Sequence, residues 1–121
     1  MRPELESALE PVLRDVSSDA VAFEIRDEDW ADDENAPSAL IYATDQTGTG
    51  IYISVWDSTA EQVASLAEQV QDHVIEDTQT AWPDCPRHPA SHPLTAAVDG
   101  ERAVWICPRT QVVVAEIGQL R

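Results

Sequence analysis

Two cysteines and two histidines stand at Cys85, His88, His92 and Cys107, spaced C-x2-H-x3-H-x14-C, and a proline directly follows each (Pro86, Pro89, Pro93, Pro108). Nothing else in the 121 residues restricts the fold as much: if these side chains hold one ion, the chain must bring them to a shared point. Two thiolates and two imidazoles are the common donor set of a closed tetrahedral zinc site. Each proline fixes local backbone and lowers the entropy cost of presenting a ligand. Cys85 and His88 are three apart, the separation of a zinc knuckle, whose turn points both side chains inward. Two other readings of the cysteines stay open: reduced thiols without metal, and a disulfide. The start, Met1-Arg2-Pro3-Glu4-Leu5-Glu6, is acidic and has no apolar core, so it does not read as an export signal. The expected compartment is therefore cytoplasmic, where thiols stay reduced.

Ala103 to Cys107 reads as a strand, with Val98 to Glu101 as a turn before it. Pro108-Arg109-Thr110 then leads into a second strand from Val112 to Ile117. By strand parity Trp105 shares a face with Cys107, so Trp105 and Trp82 are placed to pack beside the ion and keep water off it. Residues 82–121 resemble the zinc-ribbon class, in which a Cys-Pro-x-Cys or Cys-Pro-x-His knuckle precedes a hairpin and a second Cys-Pro knuckle follows it. Cys85-Pro86-Arg87-His88 matches the first knuckle. Cys107-Pro108-Arg109-Thr110 matches the second in its first ligand only, because Thr110 stands where the fourth belongs and His92 must replace it from the other side. The resemblance implies a small module for protein or nucleic-acid contact and no particular reaction. Four protein ligands leave no position for water, so such a site is structural. Were His92 not to bind, three ligands and a water would leave hydrolysis open.

Charge divides the chain. Acidic residues number 23 against seven arginines, lysine is absent, and the net charge is −16. Residues 1–79 carry 19 of the acids and three arginines, whereas residues 80–121 carry four of each. The shift predicts two units, an acidic one over 1–79 and a zinc-ribbon-like one over 80–121. A field of this sign repels nucleic-acid phosphates and anionic lipid alike. The longest apolar runs, such as Ala39 to Ala43, fall far short of the ~20 residues a membrane helix needs. The expected partner is instead a protein with a basic surface. Asp27, Glu28, Asp29, Asp32, Asp33 and Glu34 crowd around Trp30, as a solvated loop or as a docking site with Trp30 as its exposed anchor. A calcium loop does not fit, since Asp32 replaces the central glycine and Ser38 the bidentate glutamate.

The acidic part alternates in period from helix to strand and back. Leu5, Leu9, Val12, Leu13 and Val16 recur at helical spacing, with Pro11 removing an amide where a kink or a restart is expected. Val21, Phe23 and Ile25 alternate as a strand. Ser38 to Thr44 and Gly50 to Trp56 form an antiparallel hairpin around Asp45 to Thr49. Ser58 and Glu61 make a capping box for a helix reaching about Thr78, with Val63, Leu66, Ala67, Val70 and Val74 on one face. His73, beside Asp72 and near Glu76 and Asp77, reads as a surface imidazole with a raised pKa. The fold class is α+β: an antiparallel sheet with covering helices, plus a small C-terminal zinc-ribbon-like hairpin. No spacing singles out an acid/base couple or a nucleophile, and Thr47-Gly48-Thr49-Gly50 lacks the Lys-Ser/Thr of a phosphate loop. These features point to a non-enzymatic interaction protein with a structural zinc ion. The rivals are an acidic inhibitor or immunity-type protein that masks a nucleic-acid-binding surface, and a small zinc hydrolase.

Overall fold

Leu5, Leu9, Val12 and Val16 each bury their side chains almost completely, which is what an apolar stripe at helical spacing demands. They lie on α1, Pro3–Ser18, in a computed structural model that describes residues 1–18, 23–43, 45–89 and 91–120. The helix does not restart at Pro11 but runs through it as one element. Pro11 sits against Gly118, where a Cβ would come within 2.8 Å of the proline ring and where φ is +101°. Only glycine meets both conditions at that point.

Three strands follow: β1 (Glu24–Arg26), β2 (Ser38–Tyr42) and β3 (Gly48–Tyr52). They pair antiparallel in the order β1-β2-β3, with Ile25 opposite Ile41 and Ala39 opposite Ile51. Val21, Ala22 and Thr44, read from the sequence as strand residues, lie outside the described residues. β3 starts two residues earlier than the sequence pattern predicts, because the reversal occupies residues 43–47. There the amide of Ala43 donates to Thr47 and that of Gln46 to Ala43, and Asp45 accepts from the Thr47 amide at 2.9 Å. Trp30 is half-exposed, but its indole N–H donates to the carbonyl of Ala39 at 2.8 Å, and the ring lies over Gly50, where a Cβ would come within 2.5 Å of it. The tryptophan is thus tied down on the sheet while part of its ring stays exposed.

α2, Thr59–Thr78, begins with the predicted capping box, in which the Glu61 amide donates to Ser58 and the Ser58 amide to the Glu61 carboxylate. Val63, Leu66, Ala67, Val70 and Val74 are buried. Gln69 projects from α2 to the β3 edge: the Tyr52 amide donates to its Oε1 at 2.9 Å and its Nε2 donates to the Tyr52 carbonyl at 2.8 Å. Last come β4 (Thr95–Asp99), β5 (Arg102–Ile106) and β6 (Val113–Glu116), a second antiparallel sheet in sequence order. β4 was not expected; the turn read at 98–101 is a two-residue reversal at Gly100-Glu101 between paired Asp99 and Arg102.

α2 lies against α1, β3, β4 and β5, so it is the layer shared by the two sheets. One cluster of buried side chains runs from Leu5 through Ile51, Leu66 and Trp105 to Ile117, drawing on both the acidic and the neutral part. Each fully buried leucine or valine contributes roughly 1.5–3 kcal/mol. Within that cluster Asp15, 1% exposed, accepts from the Trp105 indole at 2.8 Å, the Gly118 amide at 2.7 Å and the Leu120 amide at 3.0 Å. The architecture is α+β, two helices and two three-stranded antiparallel sheets among the described residues. No helix of the described residues is long and apolar enough to cross a membrane.

Candidate metal centre

The segment after α2 is held as a closed loop before any ion is considered. The Leu94 amide donates to the Pro83 carbonyl at 2.8 Å, and Asp84 bridges to Pro93. Gln71 of α2, itself buried, donates from Nε2 to the carbonyls of Trp82 and Leu94, so the helix staples both ends of the loop. Inside it, the His88 amide donates to the Cys85 carbonyl and the Ser91 amide to the His88 carbonyl, both at 3.1 Å. These two successive turns place Cys85, His88 and His92 on one side of the loop. Cys107 follows the last residue of β5 and completes the group.

The donor atoms of Cys85, His88, His92 and Cys107 all lie within 4.8 Å of one another, and the four can hold a metal ion. Both cysteines are fully buried and free. Both imidazoles are half-buried. His88 Nδ1 stands 3.8 Å from Cys85 Sγ and 3.7 Å from Cys107 Sγ, and His92 Nε2 stands 3.7 Å from Cys107 Sγ. A nitrogen nearly equidistant from two sulfurs fits an ion shared between them.

Electrostatics favour the ligating form of at least one sulfur. The Cys107 thiol is lowered from 9.0 to about 5, first by the Thr110 hydroxyl, then by the backbone amides of Thr110 and Arg109, with His92 adding to the effect. Thr110, which stands in the fourth-ligand position of a second knuckle, therefore acts here as a hydrogen-bond donor to the sulfur. An unfolded thiol ionises near 9.0 and the folded one near 5, so between these values the folded chain binds fewer protons and stability rises with pH. In metal-free protein, ultraviolet thiolate absorbance should grow in as the pH passes about 5, and Thr110→Val should move that midpoint upward. An unmoved midpoint would remove Thr110 from this role.

Trp82 and Trp105 are both buried and meet edge to face, ring centroids 5.8 Å apart, in the same cluster as the two cysteines. Sequence reasoning missed Gln71, although it lies one residue past Val70 on the buried side of α2. It also misplaced His73, which is not a surface imidazole: it is 7% exposed and packs on Phe23 with centroids 5.5 Å apart. Its place in the series Val63, Leu66, Val70 was the available signal.

No curated protein and no solved structure matches the chain. A family model does, and it spans both helices, both sheets and all four donors of the cluster. That model, described as Domain of unknown function (DUF8819), matches residues 5–117, and the chain belongs to this family.

Proposed function

We propose that the chain is a non-enzymatic protein-interaction module, its C-terminal part pinned by a structural zinc ion on Cys85, His88, His92 and Cys107. The observation that carries the reading is the convergence of the four donors around buried sulfur. With Zn–S of about 2.3 Å and Zn–N of about 2.05 Å, a tetrahedral ion holds sulfur and nitrogen about 3.6 Å apart. Three of the four sulfur–nitrogen separations, at 3.7–3.8 Å, stand close to that value. Two thiolates and two imidazoles suit zinc over the hard cations, which prefer oxygen. The order of knuckle, β4–β5 hairpin and second Cys-Pro turn further supports the likeness of residues 82–121 to a zinc ribbon. A site filled by four side chains leaves no ligand position for a reacting water, which favours a structural role over hydrolysis.

The acidic part is the docking side in this reading. Its excess of carboxylates accelerates encounter with a basic partner, and the attraction fades as salt screens it. Metal analysis of protein purified without added zinc tests the first half. Close to one zinc per chain is expected, with thermal stability lost on chelation; less than about 0.3 per chain and no such loss would overturn it. For the second half, partner capture should weaken steeply as ionic strength rises, and partners lacking basic surface would overturn it.

A further inference from the structure

The first sheet turns Ala39, Ile41 and Ile51 into the core, and its other face meets solvent. By register Arg26 of β1, Leu40 and Tyr42 of β2, and Gly50 and Tyr52 of β3 share that outer face. Trp30 joins it from the loop before β2 and lies over Gly50, as Tyr42 lies over Gly48. Trp30 and Tyr52 meet edge to face, centroids 6.1 Å apart, and each keeps nearly half its surface exposed, 46% and 48%.

One guanidinium already stacks on this face. Arg26 Cζ lies 3.9 Å from the centroid of the Tyr42 ring, while Nε and Nη2 donate to the Glu24 carboxylate at 3.2 and 3.4 Å. A ring and a carboxylate together thus hold a cation against the sheet. The same two groups recur at the other end of the face. Ser38, opposite Tyr52 in register, donates to Asp29 Oδ1 at 2.9 Å and fixes that carboxylate beside the two exposed rings. Among the described residues no cation pairs with Asp29. Charge narrows what these rings can receive. Residues 24–52 hold eight acids and a single base, Arg26. Nucleobases stack on such rings, but their phosphates would be repelled here.

We propose that Trp30, Tyr52 and Asp29 receive an arginine side chain from an exposed segment of a partner protein, stacked on the rings and paired with the carboxylate as Arg26 is on Tyr42 and Glu24. A guanidinium is planar and weakly hydrated, so it stacks on aromatic faces better than an ammonium does. The proposal rests on the reading of the acidic part as the docking side and names the face and the side chain that docks. It does not depend on the zinc reading.

The test is a two-dimensional NMR titration of the full chain at fixed ionic strength with three probes: a short peptide carrying two arginines, its lysine counterpart, and an uncharged cello-oligosaccharide. Saturable shifts are expected at Asp29, Trp30, Ser38 and Tyr52, with the arginine peptide bound about two- to fivefold more tightly than the lysine one. Tyr52→Ala and Asp29→Asn should each weaken binding about two- to fivefold, whereas Tyr52→Phe keeps the ring and the affinity. Glu68→Gln, which removes a charge from an exposed position of α2, should leave the affinity unchanged. Equal binding of the lysine peptide overturns the proposal, as does parental affinity in both Tyr52→Ala and Asp29→Asn. Tighter binding of the oligosaccharide at the same rings overturns it in favour of a carbohydrate surface. Peptide shifts confined to α2 overturn the choice of face and leave charge-driven docking standing. No shift with any probe also overturns it, and the salt dependence of partner capture then judges the docking reading separately.

Discussion

On the proposed zinc reading, replacing Cys107 with serine should abolish metal binding and lower the thermal midpoint by roughly 15 °C. The argument runs through linkage. A ligand present at about a thousand times its dissociation constant stabilises the state that binds it by about 4 kcal/mol. A loss of 1 kcal/mol moves the midpoint of a chain of this size by roughly 4 °C. Cys107 is the donor to choose because its sulfur lies closest to both imidazoles, 3.7 Å from each, and because it alone joins the loop to β5. The core beneath it is shared with α1 and α2, so the variant should still fold while melting early. In excess chelator the two proteins should melt close together, which separates the ion's contribution from the packing of one buried sulfur. A variant that keeps both its metal and its midpoint would remove Cys107 from the site.

Asp15→Ala should cost a comparable amount, about 3–5 kcal/mol, and would act away from the Cys/His cluster. The carboxylate accepts from three donors, the buried Trp105 indole and Gly118 amide and the part-buried Leu120 amide. Deleting it leaves buried N–H groups unanswered, each costing about 1–3 kcal/mol, though not additively. Natural domains hold only about 5–15 kcal/mol in total, so a large share of the stability is at stake. Urea unfolding followed by tryptophan fluorescence measures it, since Trp105 is fully buried and should report the loss of its environment. Asp15→Asn should cost less, because its amide oxygen still accepts while its NH2 meets donors. A loss below about 1 kcal/mol for the alanine variant would mean the three donors find other partners.

Much of this was legible in the chain wherever the signal is local. The Ser58–Glu61 box, the stripe on α1 and the Cys85–His88 turn depend on neighbours a few residues away, and each appears where the spacing puts it. Other features depend on what packs from a distance. Thr95 to Asp99 carries little alternation, so β4 became visible only through its pairing of Thr95 with Ile106. Asp15 flanks the apolar stripe beside Ala8 without any local mark of burial; Trp105, ninety residues away, gives it a reason to be inside. His73 was assigned by its acidic neighbours in sequence instead of by its phase on the helix, and phase decided its burial. The charge step near Thr80 did not foretell that both sides share one cluster of buried side chains.

Gln69 carries one last consequence. A bare outer strand is a template on which another chain can add itself, rung after rung, into a fibril. At Tyr52 that invitation is already answered, because one primary amide occupies both the donor and the acceptor an incoming backbone would need. The helix thus supplies, from a single side chain, the blunt end that keeps neighbouring molecules from zipping together, and strong mutual repulsion between copies at −16 guards the same border from outside.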